Sequence, residues 1–245
     1  MWQPESFFYL MWHCSSSGFP DPCVRFLHIS SKSYRLRVRR WKLILGYTLR
    51  MLPFPPRALA RHFLADNPLG TVPLLVEGDT RLTESAAICQ YLAARHSPAQ
   101  LDVPVTDTAH GAYLNWLHMG EATLTFPQTL VLRYTHFEPD ERKQPQVADD
   151  YSRWFLARLK AIDATLQQQE FLCAGRFTAA DVSVHYALML ASHLGLALQF
   201  PDAVRHYHQR LEQRPAFQSA LQVQHQAALD QGVPTTPAPD MRPGK

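Results

Sequence analysis

Cysteine is scarce. Cys14, Cys23, Cys89 and Cys173 are scattered along a chain of 245 residues. They form no CxxC and no zinc-type spacing, which excludes a dense disulfide framework and suits a reducing compartment. Long apolar runs are also missing. No stretch approaches the ~20 consecutive apolar residues of a membrane-spanning helix. Met1–Leu10 has no basic residue and is interrupted by Glu5, so it is not read as a secretory signal. The chain is expected in the cytoplasm and away from membranes. Acidic residues are lacking from one long segment: Pro22 to Ala65 holds ten Lys or Arg and no Asp or Glu. Such a stretch is a solvated helix face, a nucleic-acid surface or a pocket for a small anion. A net charge of +3 is too small to name a partner, and nucleic acid is the weaker reading.

What is present is enough apolar residue, 46%, to bury a core. Residues 1–22 fit no element and stand as an N-terminal extension of unknown structure. Val24–Ser30 alternates and reads as a strand. Ser33–Leu45 has helical spacing at Tyr34, Val38, Trp41 and Leu45, although Arg35–Arg39 also alternates; a helix ending at Gly46 is preferred. Tyr47–Leu52 reads as a strand, and Pro53, Pro55 and Pro56 prepare a helix over Arg57–Ala65. Asn67-Pro68-Leu69-Gly70 is a turn. Val72–Val76 is a short strand with Pro73 near its start, which places it at an edge, a bulge or a cis bond. Glu77-Gly78-Asp79 turns the chain back, and Thr83 or Glu84 opens the next helix. Residues 23–96 therefore form an α/β unit.

Residues 97–108 are polar and read as a linker. Residues 109–230 read as all helix, with Val182–Gly195 apolar nearly all round and hence central. Pro127 is expected to kink or end the helix that begins near Tyr113. Residues 231–245, with four prolines after Gly232, read as a disordered tail.

Two blocks carry a resemblance. Asn67–Ala93, NPLGTVPLLVEGDTRLTESAAICQYLA, and Gly175–Asp181, GRFTAAD, look like the corresponding segments of cytosolic glutathione S-transferases, with a bacterial, serine-type-like cast. The resemblance covers about Val24–Leu229. It implies a thioredoxin-like N-terminal domain, an all-α C-terminal domain and usually a homodimer. The implied activity is transfer of glutathione sulfur to a small electrophile, typically in detoxification. Glutathione is the co-substrate, and no metal is implied.

The chemistry of each motif fits that ligand. Glutathione is a tripeptide with two carboxylates, an ammonium and a thiol. Val72 and Pro73 match the family's cis-proline corner, where Val72 pairs with the cysteinyl backbone like an added strand. Ser85, at a helix N-terminus, offers its N–H and hydroxyl to the γ-glutamyl carboxylate. Glu84 accepts from the γ-glutamyl ammonium. A bland alternative is that Thr83, Glu84 and Ser85 only cap a helix. Thr178 and Asp181 read as a capping box, a structural motif, flanked by Phe177 and Val182 at staple positions.

A free thiol with a pKa of ~8.5 is mostly protonated at neutral pH. A hydroxyl donating to sulfur helps it ionise. The family places that donor just after the first strand, where this chain reads Ser30-Ser31-Lys32-Ser33-Tyr34-Arg35. Ser33 lies four residues before Arg37, as in serine-type classes. The segment SSKSYR also resembles the maleylacetoacetate isomerase class, which favours Ser31 or Ser30. Ser33 and Ser31 rank together, then Ser30, with Tyr34 last. The basic first helix departs from the family pattern. It leaves open a glutathione-dependent isomerase of the maleylacetoacetate type and a non-catalytic binding or assembly module.

Other residues carry weaker signals. Tyr113, Trp116, Leu117, Glu121 and Phe126 line either an electrophile pocket or a plain core. His206, His208 and His225 read as surface histidines, and Cys89 and Cys173 as packing residues.

Overall fold

The computed structural model describes residues 23–29 by their backbone, and 47–53, 56–97, 99–233 and 235. The N-terminal extension, the helix read at Ser33–Leu45, the donor candidates Ser30, Ser31, Ser33 and Tyr34, and residues 234 and 236–245 of the tail lie outside the described residues. Two compact units are present: Met1–Cys89 together with Pro215–Lys245, and Gln90–Arg214.

The first unit is built on a four-stranded sheet of order β2-β1-β3-β4. Its strands are β1 (Cys23–Ile29), β2 (Thr48–Pro53), β3 (Leu74–Glu77) and β4 (Thr80–Leu82). β1 runs antiparallel to β2 and parallel to β3, and β3 and β4 form an antiparallel hairpin. An antiparallel β1–β2 pair does not itself require a crossover helix. The strand expected at Val72 begins two residues later, at Leu74, because Pro73 has no N–H to give to a ladder. The helix expected over Arg57–Ala65 divides into α1 (Pro56–Leu59) and a 3-10 turn (Arg61–Ala65). The break falls at Ala60, whose φ of −136° and ψ of 59° are not helical. Under the sheet, Leu52, Ala60, Phe63, Val72, Leu74 and Val76 form one apolar cluster.

Helix α2 (Ser85–His96) follows β4. The second unit contains α3 (His110–His118), a π-helical stretch (Met119–Thr125), α4 (Phe126–Leu132) and a further π-helical turn (Arg133–Phe137). Next come α5 (Pro145–Leu166), α6 (Ala179–His193) and α7 (Asp202–Glu212). The π stretch accounts for Pro127. A proline ring clashes with the carbonyl four residues back and cannot donate to it. Widening the turn before it relieves the clash, and Thr125 Oγ1 donates to Gly120 O at 2.8 Å. The α-helix therefore gives way to a π-helical stretch and restarts with proline in its first turn.

α6 is buried at every position from Ala179 to Ala191, as its uniform apolarity predicts. α5 covers the core with Ala148, Phe155, Leu159 and Ile162, a one-sided helical stripe. Helix α8 (Pro215–Asp230) was expected to close the helical domain, but it groups with the sheet. Met51 N–H donates to Gln231 Oε1 at 2.9 Å, and Gln231 Nε2 donates to Leu49 O at 3.0 Å. Met51 and Ala228 are buried together beneath Leu49, Ala227 and Val233.

Candidate functional site

The β3–β4 hairpin organises the candidate site. Leu75 pairs with Leu82, Val76 with Arg81 and Glu77 with Thr80, across a turn in which Gly78 holds φ at +58°. That left-handed conformation is one glycine adopts without a Cβ clash. The hairpin joins the two halves of the sequence motif, Val72-Pro73 just before β3 and Glu84-Ser85 just after β4.

Val72 is 7% exposed, and the Val72–Pro73 peptide is cis. The loop leading to it is held by Asn67, a residue read from sequence only as part of a turn. Asn67 is 2% exposed. Its backbone N–H donates to Phe63 O and its carbonyl accepts from Gly70 N–H, both at 2.9 Å. Its side-chain oxygen accepts from Leu69 N–H at 3.1 Å, and its amide nitrogen donates to Thr71 O at 2.7 Å and Thr71 Oγ1 at 3.2 Å. A sequence signal was available: Asx side chains bond to backbone groups two residues on, and Asn-Pro invites that turn.

At the other half, Ile88 N–H donates to Glu84 O at 2.8 Å, which closes the first turn of α2. The first N–H groups of a helix have no intrahelical acceptor. Ser85 sits there, 2% exposed, with a buried hydroxyl that has no hydrogen-bond partner among the described residues. A purely capping serine would spend that oxygen on the backbone. A buried hydroxyl without a partner among the described residues, at the positive end of a helix, is an arrangement suited to a carboxylate. Glu84 is exposed, and its Oε1 lies 3.4 Å from Thr83 Oγ1.

The second motif is the capping box. Thr178 N–H donates to Asp181 Oδ2 at 2.8 Å, and Ala180 N–H to Thr178 Oγ1 at 3.3 Å. Asp181 takes more than the box requires: Leu172 N–H donates to its Oδ1 at 3.1 Å and Tyr207 OH at 2.8 Å. Burial pushes the Asp181 carboxyl up, opposed by these bonds. Phe177 and Val182 are both buried at the staple positions. The partners Leu172 and Tyr207 were not visible in the sequence, since neither falls within the motif.

The remaining candidates divide. Tyr113, Leu117 and Trp116 are buried in the second unit, whereas Phe126 is 57% exposed and Glu121 half-buried. Cys89 and Cys173 are buried cysteines outside any disulfide, and burial pushes the Cys173 thiol up to about 11. His206 and His225 are exposed, but His208, expected at the surface, is 5% exposed. Its Nε2 lies 3.0 Å from Ser192 Oγ, a hydroxyl that itself donates to Leu188 O. Burial, with His193 nearby, lowers the His208 pKa to about 4, so the 3.4 Å approach of Glu212 is not an ion pair at neutral pH. Among the described residues no group of three or more His, Cys, Asp or Glu could hold a metal. No helix among them is long and apolar enough to cross a membrane.

Residues 33–100 match the family model for the glutathione S-transferase N-terminal domain. The chain is 32% identical over 167 residues to glutathione S-transferase GstA of Escherichia coli O157:H7, covering 65% of this chain and 76% of that protein. It is 26% identical over 165 residues to glutathione S-transferase GstB of Escherichia coli strain K12, with 66% and 78% covered. Among solved structures, Ure2p5 from Phanerochaete chrysosporium, cocrystallized with 1-(S-glutathionyl)-2,4-dinitrobenzene, superposes with a TM-score of 0.61 at 24% identity. That match covers 69% of this chain and 81% of the other. The shared fold is the thioredoxin-like domain followed by a helical region.

Proposed function

The chain belongs to the glutathione S-transferase family, and on that premise we propose that it binds glutathione at Val72, Pro73, Glu84 and Ser85 and directs the thiolate at a small electrophile. The observation that carries the reading is the buried Ser85 hydroxyl at the mouth of α2, without a partner among the described residues. The γ-glutamyl carboxylate supplies an acceptor for that hydroxyl at the positive end of α2. Glu84, exposed beside it, accepts from the γ-glutamyl ammonium. Val72 offers N–H and C=O to the cysteinyl residue, in the manner of an added strand.

Binding there delivers the thiol toward the end of the first strand, where Ser33 or Ser31, then Ser30, donates to sulfur. A hydroxyl donor stabilises the thiolate more than the thiol, and each unit of lowered pKa takes ~1.4 kcal/mol of such preference. The attack forms a carbon–sulfur bond as the leaving group departs with its electron pair. The relatives carry the transferase name, which favours neither the isomerase nor the non-catalytic reading. We place the working form in the cytoplasm as a homodimer, in keeping with buried cysteines outside any disulfide and with family habit, and with detoxification as its role.

Calorimetry with reduced glutathione at millimolar levels tests the binding. Saturable heat is expected, and its absence would overturn the proposal. Turnover of chloro-dinitrobenzene is expected in the same preparation, and retention of glutathione without turnover would leave a binding module. Comparison of Ser33→Ala with Ser31→Ala, read as the thiol pKa in the complex, identifies the donor.

A further inference from the structure

We propose that Asn67 is a positioning residue that aims and polarises the Val72 N–H on which glutathione pairs. This rests on the glutathione reading and adds to it a residue that touches no ligand. The argument turns on one peptide group. Asn67 Nδ2 donates to Thr71 O at 2.7 Å, and that carbonyl belongs to the same peptide unit as the Val72 N–H. The unit is planar and trans, so its C=O and N–H point in opposite directions. Holding the carbonyl therefore fixes the direction of the N–H. A hydrogen bond accepted by a peptide oxygen also strengthens the donor at its other end.

The grip is firm because Asn67 cannot turn. Its two side-chain ends are both engaged, Oδ1 by Leu69 N–H at 3.1 Å and Nδ2 by Thr71. Reversing the amide would set acceptor against acceptor and donor against donor, so the assignment of O and N is forced by the partners. Its backbone N–H is tied at 2.9 Å to Phe63 O, and Phe63 lies in the same apolar cluster as Val72. Gly70, with φ at +60°, presses on the Arg57 Cβ so closely that an added Cβ would come within 2.9 Å of it. The loop thus has packing on one side and Asn67 across its base. The path runs from the core at Phe63, through the Asn67 side chain, to the Thr71 carbonyl and so to Val72.

The test separates aiming from mere turn formation. Asp is as good a turn residue as Asn, and Asn67→Asp keeps the shape and the acceptor for Leu69 N–H. It replaces the donor to Thr71 O with a second acceptor. In the full chain, Asn67→Asp is expected to raise the KM for glutathione about tenfold, with kcat at saturating glutathione within about twofold of the parent. An Asn67→Asp protein that binds glutathione as tightly as the parent overturns the inference. Should that variant fail to fold, a glutathione titration of the parent followed by NMR decides instead. The Asn67 side-chain amide protons and the Val72 amide should shift along one saturation curve, and unmoved Asn67 protons overturn the proposal. A parent that gives no glutathione heat removes the glutathione reading itself, an outcome distinct from either variant result.

Discussion

Asp181 shows how a single carboxylate can serve several elements. Fully buried, it accepts from Thr178 N–H and from two groups outside the capping box, Leu172 N–H and Tyr207 OH. Its removal leaves all three donors without their acceptor, which costs far more than losing a cap. Asp181→Ala should lower unfolding free energy by about 3 kcal/mol or more, and Thr178→Ala by about 1–2 kcal/mol, measured by urea denaturation. His208 sets a pH response. Its folded pKa is about 4 against an ordinary 6.5, so between those values the unfolded chain holds a proton that the folded chain refuses. The neutral histidine's contribution is fully present above pH 6.5 and is lost as pH falls toward 4, by up to about 3 kcal/mol. A His208→Gln variant should lose less stability than the parent between pH 7 and 4.5 when both are unfolded in urea. Ser85→Ala should leave stability little changed, since its hydroxyl has no partner among the described residues, and weaken glutathione binding by about tenfold in calorimetry.

Among the elements, the π-helical stretch crosses α6 closely at Gly120. A Cβ added at Gly120 would lie 2.6 Å from the Ser183 carbonyl carbon and 2.8 Å from its oxygen. Ser183 Oγ meanwhile donates to Leu117 O at 2.5 Å, so neither helix can give way locally. Gly120→Ala should destabilise by about 2–3 kcal/mol. Because the obstruction includes backbone, adding Ser183→Ala should not restore the loss in a melting experiment. The same segment explains why the periodicity at Tyr113–Leu124 was readable but its π character was not. Apolar spacing of three and four marks a face, whereas the widening answers a proline several residues downstream and a neighbour on α6.

For the whole molecule, α8 is the instructive case. Its apolar positions identify a helix, yet the helix belongs to the sheet unit through Gln231, whose amide supplies an acceptor and a donor to edge strand β2. An edge strand otherwise presents unpaired N–H and C=O groups. Deleting the chain after Arg214 should therefore speed hydrogen exchange at the Met51 amide, while amides within α6, such as Leu190, keep their protection.

The sequence by itself determined what is local. The hairpin of β3 and β4, the turn before Val72, the start of α2 at Ser85 and the Thr178–Asp181 box all join residues close in the chain, so residue type and spacing suffice. Even there the strand began two residues late, because a proline's missing donor counts only once a partner strand is in place. The tertiary structure alone decided which distant groups meet. Met51 and Gln231 are 180 positions apart, and Asp181 and Tyr207 sit on separate helices. No periodicity encodes such pairs. They form because burial strips polar groups of water and leaves each to find whatever partner the packed chain brings within reach.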